Sequence, residues 1–197
     1  MPEVLQSPLS SLPSAARHAG LAIVRLGDGH DLGRGGFRLF SPAFEHGEEL
    51  DPCFTAGEED AVAPPVEWSA PPAGAQELVL IVENASTSGA EPACHWLVWG
   101  IAPQRGKLLE GETPPRTGKN ALGNSEWLLP DPPEGETQQF VFQLFALDLP
   151  LTLMPGATRA SLLAQMDGHV VASSVLVAHY TRSPDDSGEW VDDDTLD

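Results

Sequence analysis

Positive charge is scarce in this chain: ten Lys and Arg stand against 29 Asp and Glu in 197 residues, a formal net charge of −19. Residues 183–197 hold seven acids and no base, yet removing them still leaves 22 acids against ten bases, so the body is acidic too. Binding a phosphate backbone depends on Lys and Arg that displace counterions, which excludes DNA, RNA and anionic membrane surfaces as partners. Cysteine is nearly absent, and Cys53 with Cys94 cannot make a disulfide framework. No apolar run reaches the roughly 20 residues of a membrane-spanning helix, so membrane insertion is not expected. Met1-Pro2-Glu3-Val4-Leu5-Gln6 has neither a basic n-region nor an apolar h-region. The expectation is a cytoplasmic protein without a secretory signal.

Turn chemistry, by contrast, is abundant. Nineteen Pro and nineteen Gly separate strand-length apolar runs, which favours a mostly β architecture over a helical bundle. The length suits one domain with a sizeable core. Residues 77–82 and 94–101 are nearly continuous in apolar side chains, as strands covered on both faces require. Residues 139–147 alternate: Phe140, Phe142 and Leu144 face one way, Val141, Phe145 and Leu147 the other. The pattern further predicts a short helix over 11–19, a strand over 21–26, a helix over 158–166 capped by Thr158, and a last strand over 169–180. Gly33-Arg34-Gly35-Gly36 lacks dinucleotide-binding spacing, and Gly111 and Gly118 lie too far apart for a P-loop. No cofactor is expected.

One ionisable side chain stands out in the apolar run Cys94-His95-Trp96-Leu97-Val98-Trp99-Gly100-Ile101. Burying polar atoms unpaired costs about 1–3 kcal/mol, so an imidazole there needs a partner or a ligand. Ser86, His95 and Glu83 are the residue types of an acyl-transfer relay. No nucleophile elbow surrounds Ser86, however, so no catalytic residue is assigned. His46, His95, His169 and His179 have no metal-ligand spacing, and no metal is expected.

Three separated segments carry a further reading: Leu78-Val79-Leu80-Ile81-Val82-Glu83-Asn84-Ala85-Ser86-Thr87-Ser88, the His-Trp strand, and Leu129-Pro130-Asp131-Pro132-Pro133-Glu134-Gly135 followed by Phe140-Val141-Phe142-Gln143-Leu144-Phe145. With Phe40-Ser41-Pro42-Ala43-Phe44, Pro64-Pro65-Val66-Glu67-Trp68 and Met166-Asp167-Gly168-His169-Val170-Val171, they resemble the bacterial branch of the phosphatidylethanolamine-binding protein (Raf kinase inhibitor-like) family, in the family's order. The resemblance implies a Greek-key antiparallel β-sandwich with a few peripheral helices over residues 37–182. Residues 1–36 are expected to form an extension packed on that body, and 183–197 an acidic, disordered tail. It also implies an anion pocket at one end of the sandwich, a small phosphorylated or anionic ligand, a regulatory protein as another partner, and homodimers.

Mapped onto that pocket, His95 is kept while the family's acidic and proline-rich segment is replaced by Asn84-Ala85-Ser86-Thr87-Ser88 and its His-Arg pair by Gln138-Gln139. The expected ligand-binding set is His95, Asn84, Ser86 and Gln138 as hydrogen-bonding groups, Glu83 to orient His95, and Trp127 with Pro130 to shape the mouth. The alternative is a regulatory interaction module whose pocket has degenerated.

Overall fold

The computed structural model describes residues 13–184. Four long antiparallel strands form its main sheet: β3 (Glu77–Asn84), β4 (Ala93–Ile101), β6 (Thr137–Leu147) and β7 (Val170–Thr181), in the order β4-β3-β6-β7. A small sheet of β1 (Leu39–Phe40), β2 (Val66–Trp68) and β5 (Gly106–Leu108), ordered β1-β2-β5, covers one face. Between the two sheets lies a core of Leu39, Val66, Trp68 and Leu108 against Leu78, Leu80, Val82, Trp96, Val98, Phe140, Phe142 and Leu144. The opposite face of the main sheet presents Val79, Ile81, Leu97, Trp99, Val141 and Phe145. It is covered by α1 (Ala22–Leu26) and α2 (Arg159–Met166) through Ala22, Ile23, Leu162, Leu163 and Met166. The two-sided apolar strands therefore have the expected cause, since each face of the sheet has its own cover.

Local chemistry sets the helix boundaries. The Thr158 hydroxyl accepts from Ser161 N at the start of α2, and Gly168, at φ 76°, follows its end. The N-terminal region departs from the sequence expectation. Residues 14–17 form a 3-10 turn and residues 22–26 a helix, not a strand. Two side chains of the sheet decide this. Ala22 N donates to Glu83 Oε2 at 2.9 Å and Ile23 N to Gln143 Oε1 at 2.7 Å, satisfying amides that a helix leaves free at its first turn. The edge at β7 where a strand might have joined is occupied. Gly33 N donates to Ser173 O and Ser173 N to Asp31 O, while Leu50 N and Gly47 N donate to His179 O and Val177 O. The acidic tail expected over residues 183–197 lies outside the described residues from 185 onward.

Candidate functional site

His95 owes its position to a β-bulge. Val82 pairs with Trp96 and Glu83 with Cys94, so His95 is the extra residue on β4. Cys94 packs with the helix-side cluster and Trp96 with the sandwich core. The bulge turns the His95 ring toward the sandwich side, where it meets Phe140 edge-on at 4.9 Å and Trp127 at 6.1 Å. Leu128 runs alongside, its N donating to His95 O at 2.9 Å.

The ring's protonation follows from its surroundings. Nδ1 lies 2.6 Å from Leu128 O, and a carbonyl only accepts, so Nδ1 carries the hydrogen. His95 is 5% exposed, and burial pushes its pKa down to about 4, outweighing the upward pull of the Leu128 carbonyl. At neutral pH the ring is uncharged, with Nε2 holding an open lone pair. Among the described residues the sealed side-chain polar atoms without a partner are Trp99 Nε1 and Ser173 Oγ. Nε2 has no partner and is not among them, so it keeps a trace of contact with solvent.

Asn84, Ser86 and Gln138 gather at the same end of the sheet, but they bond to one another. Asn84 Nδ2 donates to Gln138 Oε1 at 2.8 Å, and Asn84 Oδ1 accepts from Ser86 N at 2.9 Å. The Ser86 hydroxyl accepts from Gln139 N at 3.0 Å. Trp127 is pinned by its Nε1 donating to Phe54 O at 3.0 Å and lies stacked on Phe142. It borders a cavity of about 270 Å³ with Trp96, Val62, Pro114 and Leu129, whose lining does not include His95. Pro130 is buried and accepts from Ala56 N through its carbonyl. At the proline-rich loop Arg182 pairs with Asp131 at 2.6 Å.

Glu83 is the correction. Strand alternation points it to the opposite face from Asn84, away from His95, because neighbouring strand residues face opposite sides. There it is 0% exposed and bonded to the Arg159 guanidinium Nε, to Gln143 Nε2 at 2.8 Å and to Ala22 N. Arg159 also donates to Gly20 O at 2.6 Å. This buried ion pair joins β3, β6, α2 and the N-terminal region. A carboxylate within a strand apolar on both faces was the sequence clue to it; the partner, 76 residues away, had none.

The arrangement can hold a hydrogen-bond donor at His95 Nε2, and it offers no cation to an anion among these contacts. Among the described residues no group of three or more His, Cys, Asp or Glu is placed to hold a metal, and no helix is long and apolar enough to cross a membrane.

Comparison with known proteins bears on the fold and the site together. The family model for phosphatidylethanolamine-binding protein matches residues 40–181. A UPF0098 protein of Chlamydia trachomatis is 31% identical over 150 residues, covering 74% of this chain and 99% of its own. A Mycobacterium tuberculosis protein named as a lipoprotein, LppC, is 39% identical over 123 residues, covering 61% of this chain but only 60% of its own. In three dimensions the chain superimposes on the phosphatidylethanolamine-binding protein homologue CT736 of Chlamydia trachomatis with a TM-score of 0.68, 30% identity, and coverage of 75% and 98% of the two chains. Escherichia coli YbcL, at 18% identity and a TM-score of 0.65 over 74% and 98%, shares the fold. With the His-Trp strand, the proline-rich loop and the sandwich all in place, this chain belongs to the phosphatidylethanolamine-binding protein family.

Proposed function

We propose that this chain is a non-catalytic binding protein that acts by recognising a protein partner, with the family's small-ligand position closed over His95. The observation that carries this reading is the state of that residue. Its donor is spent on Leu128 O, its ring is walled by Trp127 and Phe140, and the neighbouring polar groups satisfy one another. Support for the non-catalytic part comes from Ser86 and Glu83. The serine oxygen accepts from Gln139 N, and Glu83 faces the other side of the sheet, so no nucleophile-base-acid relay is assembled. A cytoplasmic location belongs to the same proposal and is supported by two unpaired thiols, Cys94 buried and Cys53 half-buried.

A small-ligand reading has one observation in its favour, the open lone pair of His95 Nε2. A ligand there must donate a hydrogen bond. A phosphodiester has no proton to give, and a phosphomonoester gives one only while singly ionised, with a second pKa near 6. Hydroxyl or ammonium groups fit better than phosphoryl oxygens. Calorimetric titration of phosphoethanolamine and of AMP into wild type and His95→Ala separates the two readings. The closed-pocket reading expects no heat from either protein. Heat from wild type that disappears in His95→Ala would overturn it in favour of the ligand.

A further inference from the structure

The ten bases of this acidic chain are not spread evenly: Arg105, Lys107, Arg116 and Lys119 fall within residues 105–119. Elsewhere Arg25, Arg34, Arg159 and Arg182 each pair with an acid. The four clustered bases are exposed, and their side chains enter no ion pair or hydrogen bond among the described residues. Glu67 lies directly across from Lys107 in the β2–β5 register, yet the two make no ion pair within 4.0 Å.

Two of these bases, Arg105 and Lys107, line a cavity of about 240 Å³ between the end of β4, β5 and the Pro114-Pro115 turn. Its apolar walls are Trp68, Val98, Trp99, Ile101 and the two prolines, and Arg105 with Lys107 also line it. No acid does. Three other cavities, by contrast, each carry at least one acid: Glu45, Glu112 with Glu126, and Glu91 with Asp167. Two glycines shape this cavity. A Cβ on Gly106 would come within 3.0 Å of the Trp68 ring, and one on Gly100, at φ 70°, within 2.7 Å of Arg116 Cδ, so the Arg116 stem lies over the strand end. The Trp68 indole donates to Gln104 O, while Trp99 Nε1 is sealed without an acceptor.

We propose that this cavity is the docking site for an acidic protein segment carrying one apolar or aromatic anchor residue. The inference deepens the partner-binding reading above and rests on it. The chemistry selects that occupant over a small organic anion. Small-ligand sites use a few fixed polar groups inside the pocket, whereas here the cations are long, exposed and at the rim, and the interior is apolar. The anchor fills the Trp-Pro hollow, and flanking carboxylates meet Arg105, Lys107 and Arg116. Screening confines each field to about 8 Å at physiological salt, so the local cations govern binding there despite the charge of −19. That same acidic body repels the segment elsewhere and so enforces one landing place.

The test is fluorescence anisotropy of a fluorescein-labelled peptide Asp-Asp-Glu-Phe-Glu-Asp-Asp against the full chain at physiological salt, with Ser replacing Phe in a control peptide. The Phe peptide is expected to bind and to shift the indole N–H resonances of Trp68 and Trp99. The double variant Arg105→Glu/Lys107→Glu is expected to weaken it about tenfold, a few exposed charge contacts changing sign. The single variant Arg105→Glu, outside any strand, keeps the result readable should the double variant fold poorly, and Arg34→Glu should leave affinity unchanged. Equal binding of both peptides, or indifference to the double variant, overturns the proposal. So does binding by a peptide of residues 183–197 in place of the designed one, which would make this chain's own C-terminal segment the occupant. No binding at all, with no phosphoethanolamine heat, overturns the docking site and leaves the partner-binding reading standing.

Discussion

His95 and Glu83 lie on adjacent paired strands, and both are withdrawn from water, at 5% and 0% exposed. They reach that state by different means. Glu83 is matched by partners: its oxygens collect a guanidinium, a side-chain amide and a backbone N–H. His95 has one carbonyl, no counter-ion and two aromatic rings, so it gives up its charge, with a pKa near 4. A charge in a low-dielectric interior persists only with several partners; a group that can shed its proton needs only one. The comparison separates structure from recognition. The Glu83 side fastens the helices to the sheet, and the His95 side is the one on which the proposed function bears.

The largest expected effect comes from breaking the charged side. Arg159→Met strands the Glu83 carboxylate and should cost about 3–5 kcal/mol in urea unfolding, while Glu83→Gln/Arg159→Met should recover most of it. A single variant losing less than about 1 kcal/mol would remove the contrast.

Next comes the acid dependence of the neutral side. The unfolded chain takes up a proton at His95 below 6.5 and the folded one only below about 4. Within that window the unfolded state holds more protons, so stability falls as pH falls. The difference corresponds to roughly 3 kcal/mol, complete near pH 4 and absent above about 7. Comparing urea midpoints of wild type and His95→Asn across that range isolates it from other carboxylates. Parallel profiles would show that the ring titrates normally.

Smaller again is Asn84→Ala, which leaves Gln138 Oε1 and Ser86 N without their partner. Its expected cost is about 1 kcal/mol, since water reaches the half-buried Gln138. Smallest is Arg182→Ala at the proline-rich loop. The pair with Asp131 is exposed on both sides, and its loss should cost under about 1 kcal/mol and vanish in high salt. A larger value would mean that the pair holds the loop against His95.

Which residues alternate in β6, which strands are covered twice and where α2 begins were legible because they depend on neighbours one to four positions away. Placing His95 beside the proline-rich loop was legible as well, since the family's motifs occur in order. The Glu83 assignment failed for a definite reason. Glu83 pairs with Cys94 on the helix-facing side of the sheet, while the bulge turns His95 toward the sandwich core. The helix over residues 22–26 was missed because its first amides are capped by Glu83 and Gln143, side chains 61 and 120 positions away.

By itself the amino-acid order determined the layered β architecture and the net charge of the chain, while the order of the family's motifs pointed to a polar patch at one end of the sheet. The first follows from local periodicity and the second from residue counts. Only the tertiary structure decided that the imidazole is a neutral acceptor, that the glutamate is paired with Arg159, and that two unpaired bases line a tryptophan-walled hollow. Protonation and pairing depend on distances between atoms far apart in the chain, and folding alone sets those distances.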